Sequence, residues 1–194
     1  MDAYIATVSG PQEEVHVQRC HSFVTNMARQ ILCGLADVNG VPRSVNGVTA
    51  ITMAGFRNTS RCLFPGVGIL SNLPASDCGL LPGSSAAAFD IEAYNYSTQI
   101  ANGSSSGQLS YDNTVCPGIT ISGDGTYAYI DVSRVFTNYG AADVTINEIF
   151  LVGRDWQTNS YWYRALYGRD VLDAPITLQT GKSANIILRL MISL

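Results

Sequence analysis

The segment from Thr126 to Val152 constrains the fold more than any other part of the chain. It contains two runs, 126–137 and 144–152, in which apolar and polar residues alternate with the period of two that is typical of β-strands. Each apolar face carries one charged residue, Arg134 on the first run and Glu148 on the second. Because a buried ion without a partner is costly, we predict an antiparallel hairpin in which Arg134 and Glu148 pair across the strands and fix their register.

Short runs with strand character, separated by turns, continue on both sides of this segment. The last run alternates so cleanly that its apolar face is predicted to hold Leu194 in the core. By contrast, Leu73–Ser85 is rich in Pro and Gly and is predicted to be a long surface loop. The other predicted strands are 48–53, 67–70, 108–111, 119–122, 161–167, 169–178 and 184–194. Many short strands punctuated by turns indicate an antiparallel β-sandwich, all-β and jelly-roll-like.

The N-terminal part of the chain has a different character. Residues 1–20 are predicted to form an extended arm, and Ser22 is a candidate N-cap for a helix. The apolar residues of that helix recur at helical spacing and are Phe23, Met27, Ile31 and Leu35. Such a stripe usually packs on its own domain or on a neighbouring subunit rather than on a cofactor. We therefore divide the chain into an anchoring and oligomer-contact segment, 1–45, and a β-sandwich domain, 46–194.

The composition favours a subunit of an assembly. Charged residues make up 13% of the chain, about half the share in an ordinary soluble domain, and hydrophobic residues make up 46%. A surface that is covered by copies or partners needs fewer charges than the surface of a lone monomer. The net charge is −4, and the Lys and Arg residues are scattered, which argues against a nucleic-acid partner.

The sequence also gives expectations about compartment. No apolar run approaches the roughly 20 residues that a membrane-spanning helix needs, and the N-terminus lacks the features of a secretory signal. We expect the protein to stay in the cytoplasm where it is made or to be released by lysis. The cysteines, at positions 20, 33, 62, 78 and 116, are odd in number and widely spaced, so mostly buried thiols are expected rather than a disulfide framework.

No residue pattern in the sequence is typical of a catalytic or metal site. The histidines, His16 and His21, lie outside the predicted sandwich, and neither a G-x-S-x-G motif nor a Walker A loop is present. The candidate ligands of a metal site are His16, Cys20, His21 and Cys33, but their spacing fits no zinc pattern. Asp124 in a Gly-Asp-Gly turn offers one carboxylate, which is too few for calcium. We therefore predict no catalytic, cofactor-binding or metal-binding residues.

One aromatic cluster indicates a binding surface. It consists of Trp156, Tyr161, Trp162, Tyr163 and Tyr167. Aromatic faces beside Asn and Asp side chains can bind sugars, whereas exposed aromatic rows also form subunit interfaces. Tyr161, Tyr163 and Tyr167 fall on one face of the predicted strand. We favour a subunit interface and keep a carbohydrate site, in an adhesin or sugar-binding module, as the alternative.

Several segments resemble structural proteins of tailed bacteriophages. The start of the predicted helix, His21-Ser22-Phe23-Val24, is similar to that family's N-terminal segment. The other matching segments follow in the family's order and are FDIEAYNYSTQIANGSSSGQLSY, SRVFTNYGAADVTINEIFLV and RDVLDAPITLQTGKSANIILRLMISL. Together they cover most of 21–36 and 89–194. The matching features are strand and turn signatures rather than catalytic residues.

The resemblance implies a virion component without enzymatic activity, built on a β-sandwich that assembles into rings or trimers. Such a protein would decorate the capsid, or belong to a head fibre, the neck or the tail. It would be assembled in the host cytoplasm, bound to copies of itself and to other virion proteins. No nucleic acid, membrane or cofactor is expected as a partner, and outward loops could contact glycans of the host surface.

Overall fold

In a computed structural model, the structure describes residues 2–9, 14–19, 78–157 and 161–194, with side chains at 78–153, 164 and 166–194. This part of the chain is all-β, with antiparallel strand pairs and no helix, as the sequence predicts. The strands are β1 Asp2–Ser9, β2 Glu14–Arg19, β3 Gly79–Gly83, β4 Ser110–Tyr111, β5 Ile119–Ile121, β6 Tyr127–Thr137, β7 Val144–Gln157, β8 Tyr161–Leu178 and β9 Ser183–Ser193.

The larger of two sheets has the strand order β2-β1-β9-β6-β4, and β5 also pairs with β6. In it, β1 pairs with β9 along its whole length, from Asp2 opposite Met191 to Ser9 opposite Ala184. The described parts of the predicted arm are therefore two strands of this sheet. The reason is that β9 offers an edge whose backbone groups need partners, and β1 supplies them.

The smaller sheet has the order β3-β7-β8. Its first strand corrects the prediction of a surface loop at Leu73–Ser85, because every residue of β3 is buried. Leu80 and Leu81 have no exposed surface, and the strand pairs with β7 from Gly79 opposite Val152 onward. Pro82, which cannot donate a backbone hydrogen bond, is tolerated since β3 lies at an edge of this sheet.

The predicted hairpin is wrong, although both of its strands exist. β6 belongs to the larger sheet, between β9 and the strands β4 and β5, whereas β7 is the central strand of the smaller sheet. The connector 138–143 therefore crosses from one sheet to the other. Asn138 holds this crossing: its fully buried amide donates to Ala142 O at 2.9 Å and Leu178 O at 2.7 Å and accepts from Gly140 N at 2.9 Å.

One hydrophobic core contains residues from both sheets, among them Leu81 from β3, Phe136 from β6, Phe150 from β7 and Ile186 from β9. The predicted alternation of β9 holds from Ala184 to Leu190. Beyond that point the strand runs past the core, so Leu194 is 70% exposed and its predicted burial is wrong.

Several predictions lie outside the described residues. They are the helix from Ser22 to Leu35, the strands 48–53 and 67–70, and the domain boundary after residue 45. Of the cysteines, Cys78 is a buried thiol and Cys116 is a half-buried one. Within the described ranges, no helix is long and apolar enough to cross a membrane.

Candidate functional site

A polar cluster is built around Glu148 of β7, which has no exposed surface. Its Oε2 accepts a hydrogen bond from Arg169 Nε of β8 at 2.6 Å, and the Arg169 side chain is only 10% exposed. Its Oε1 accepts from Thr98 Oγ1 at 2.5 Å and from Ser85 N at 3.2 Å. Both oxygens of the carboxylate are thus occupied by donors of the same chain.

Arg169 extends this cluster toward the loop that follows β3. Its Nη1 donates to Ala88 O and its Nη2 to Ala87 O, each at 2.9 Å. Asn147, next to Glu148, donates from Nδ2 to Ser84 O at 2.7 Å. The cluster therefore fastens residues 84–98 to the smaller sheet, and we name it the Glu148–Arg169 clasp.

Glu148 and Arg134 do not form the predicted ion pair. Arg134 is 3% exposed, as its place on the apolar face of β6 predicted, but its Nη1 donates to Leu80 O of β3 at 2.7 Å. Glu148 instead pairs with Arg169. The physical reason is that β6 and β7 lie in different sheets and do not pair, so the predicted cross-strand register that would place Arg134 opposite Glu148 does not form.

A tyrosine lies beside Arg134. The Arg134 guanidinium is 5.7 Å from the ring centroid of Tyr111, whose hydroxyl donates to Ile100 O. Burial raises the pKa of Tyr111 to about 12, against the lowering effects of the Gln99 hydrogen bond and the Arg134 charge. Burial also lowers the pKa of Arg134 to about 10. Both side chains are buried, and they connect β3, β4 and β6.

A second ion pair lies on the outer face of the larger sheet. Arg189 of β9 contacts Asp131 of β6 through two hydrogen bonds of 2.7 Å, and its guanidinium lies 4.2 Å from the ring centroid of Tyr129. The hydrogen bonds to Asp131 raise the pKa of Arg189. With side-chain exposures of 43% and 28%, this pair is accessible to water and differs in that respect from the clasp.

The residues weighed as metal ligands are not gathered by the described structure. His16 belongs to β2, of which only the backbone is described, and Cys20, His21 and Cys33 lie outside the described residues. Asp124 accepts hydrogen bonds from Ser122 Oγ at 2.6 Å and from Thr126 N and Oγ1, and these lower its pKa to about 2. Its carboxylate thus closes a turn. Among the described residues, no three His, Cys, Asp or Glu side chains come together.

The aromatic cluster is divided by the fold. The β7–β8 ladder places Trp156 opposite Trp162, Asp155 opposite Tyr163 and Gln157 opposite Tyr161. Tyr167, by contrast, is 1% exposed and lies in the core, so its predicted place in an exposed row is wrong. The register of the ladder shifts between Leu151 and Val152, which leaves Tyr167 without an opposite residue. Gly153 leaves space for its ring, since a Cβ there would lie 1.8 Å from Tyr167 Cε2.

Sequence reasoning missed Arg169 as the partner of Glu148. The structure shows the relation: Glu148 lies opposite Val171, so Arg169 is its diagonal neighbour on the next strand. Finding it required knowing that β7 pairs with β8. The chain matches no protein-family model, no curated protein and no solved structure with which it was compared.

Proposed function

We propose that this chain is a non-enzymatic structural component of a tailed-phage virion, which assembles with copies of itself and with other virion proteins. The resemblance of several segments to structural proteins of tailed phages carries the virion part of the proposal, and the Glu148–Arg169 clasp supports the structural, non-enzymatic part. A carboxylate that is fully buried and saturated by donors of its own chain cannot reach a substrate, and here it fixes a loop to a sheet. Buried charges used in this way support a rigid shape rather than turnover.

The proposed architecture is a β-sandwich of the jelly-roll kind. In its support, strands of both sheets contribute to one core, and the connector held by Asn138 passes from one sheet to the other. Antiparallel strands joined across two sheets are typical of jelly rolls. The low share of charged residues, 13%, supports a protein whose surfaces are covered in an assembly.

The proposal is tested on phage particles. The phage whose genome encodes this chain is grown in its host, and the particles are purified from the lysate. We expect mass spectrometry to detect the chain in washed particles at a fixed ratio to the major capsid protein, and a particle reconstruction to show it in repeated copies. A chain present in the lysate but absent from particles would overturn the proposal.

A glycan-binding adhesin module is the second candidate, and one observation favours it. The β7–β8 register places Trp156 directly opposite Trp162, so these two residues share one face of the ladder, while Tyr161 and Tyr163 belong to the other face. A pair of neighbouring aromatic residues on one face can bind a sugar ring. Glycan-array binding that is lost in Trp162→Ala and kept in Tyr139→Ala, an exposed tyrosine elsewhere, would establish it. If the wild type binds no glycan on the array, the adhesin role is excluded for the glycans printed on that array.

A further inference from the structure

We propose that the β5 edge of the larger sheet is a self-association surface, at which two copies of the chain pair β5 with β5 in an antiparallel arrangement. The inference rests on the proposed function, because it names the surface for the homo-oligomer of that proposal. It comes from an apolar face that continues beyond the core.

The face is defined by three exposed isoleucines. Ile119 is 71% exposed, Ile121 55% and Ile192 52%. Ala128 of β6 lies opposite Ile121 of β5 in one ladder and opposite Ile192 of β9 in the other. Since directly opposite residues point to the same side of a sheet, these residues form one apolar row across β5, β6 and β9.

The next row leads directly into the core. There Ile119 and Leu190 flank Ile130, and Leu190 is buried. The exposed isoleucines are therefore on the side of the sheet that elsewhere packs against the rest of the molecule. A single exposed isoleucine needs no explanation, but a row that extends a core face into solvent is typical of an interface.

The outer edge of β5 offers backbone hydrogen-bonding groups to a further strand. β5 pairs with β6 on one side, and among the described strands none pairs with its other side. Proteins usually guard such edges with lysines, prolines or bulges. The strand itself reads Ile119-Thr120-Ile121 and contains none of these residues, and the nearest following charge, Asp124, is held in its own turn.

A second copy fits this edge better than a charged partner does. The row carries no formal charge, so its complement must be apolar, and another β5 supplies that. An antiparallel pair centred on Thr120 brings Ile119 of each copy beside Ile121 of the other, and the two-fold axis makes this contact twice. Three isoleucines expose a few hundred Å² at most, below the roughly 800 Å² per partner of a standard interface. The predicted dimer is therefore concentration-dependent in isolation.

Sedimentation velocity over a range of protein concentrations tests the inference. We expect the purified wild-type chain to shift from monomer toward dimer as its concentration rises. The Ile119→Lys/Ile121→Lys double variant should associate at least tenfold more weakly. Ile91→Lys is the matched control, because Ile91 is also 55% exposed but lies in the loop after β3. It should associate like the wild type, and circular dichroism should show the same fold for all three.

Cross-linking tests the geometry. In the proposed dimer the two Thr120 residues lie opposite one another, so Thr120→Cys should form a disulfide-linked dimer under mild oxidation. Ser104→Cys, at an exposed loop position outside β5, should stay monomeric on a non-reducing gel, like the wild type.

The outcomes separate the two proposals. A wild type that stays monomeric at all concentrations, or a double variant that associates as well as the wild type, overturns the β5 surface. In the second case the homo-oligomer of the proposed function still stands. A β5-dependent dimer of a chain that is absent from virions supports the surface and overturns the virion role.

Discussion

Glu148 illustrates what a buried charge needs in order to be tolerated. Its carboxylate has no exposed surface, yet each oxygen is stabilised by a donor at 2.6 Å or less, from Arg169 on one side and Thr98 on the other. Charge-assisted hydrogen bonds of this length are about twice as strong as neutral ones. They offset the cost of removing the carboxylate from water, but only while every partner is present.

We expect Glu148→Ala to lower the free energy of unfolding by roughly 3–5 kcal/mol, because it leaves the buried Arg169 guanidinium without its carboxylate. Denaturant unfolding of the purified protein measures this change. Asp131→Ala is the matched control: it breaks the water-accessible pair with Arg189 and should cost less than about 1 kcal/mol. Equal costs for the two variants would contradict the distinction between the clasp and the outer pair.

Tyr111 gives a pH prediction. Burial raises its pKa from 10.0 to about 12, so between these values the folded chain keeps a proton that the unfolded chain has lost. The stability that this group contributes is fully present below pH 10 and is lost as the pH rises toward 12. Tyr111→Phe should therefore reduce the fall in unfolding free energy over that window. Tyr139→Phe, at an exposed tyrosine, should leave the fall unchanged.

At the scale of strands, a glycine makes the clasp possible. Gly83 ends β3 directly opposite Glu148, and a Cβ at this position would lie 2.5 Å from Glu148 Cγ and 2.6 Å from Phe150 Cε2. Such distances are shorter than van der Waals contact. The close approach of β3 to β7 thus depends on the absence of a side chain at Gly83.

We expect Gly83→Ala to destabilise the fold by about 1–3 kcal/mol through overpacking. Gly123→Ala is the control, because a Cβ there would meet nothing within 4 Å, and its effect should stay within about 0.5 kcal/mol. Thermal unfolding of the two variants measures the difference. A neutral Gly83→Ala would show that β3 can move away from β7 without loss.

The alternation of residues predicted several strands well but could not predict how they pair. It placed Arg134 and Glu148 on buried faces, which the structure confirms. Alternation reports which side of a strand is buried, not which strand lies beside it. A six-residue connector can close a hairpin or cross between sheets, and here the hydrogen bonds of Asn138 accompany the crossing.

The misread segments have local physical causes. The Gly and Pro residues of β3 predict a loop because they are poor strand formers, yet the buried Leu80 and Leu81 between them fill the core. The spacing of the aromatics predicts an exposed Tyr167, because the shift in register that accompanies its burial leaves no mark in that spacing. Arg169 becomes the partner of Glu148 only because β7 pairs with β8, and alternation within a strand does not report which strand lies beside it.

At the scale of the molecule, both sheets contribute to one core, so we expect them to unfold together. Calorimetry should show a single transition whose calorimetric and van't Hoff enthalpies agree. Leu188→Ala in the larger sheet and Phe150→Ala in the smaller one should each lower this transition, at a cost of roughly 2–5 kcal/mol. Two separate peaks, each moved by only one variant, would show that the sheets are independent units.

The place of β9 has a consequence for how the chain folds. It is the last strand in chain order, yet in the larger sheet it lies between β1 and β6, and it pairs Asp2 with Met191. Ladders between such distant positions raise the contact order and slow folding. β1 and β6 therefore gain their shared neighbour only when β9 is in place. Among the described strands, the two halves of the larger sheet, β2-β1 on one side and β6 with β4 and β5 on the other, are joined only through Ser183–Ser193.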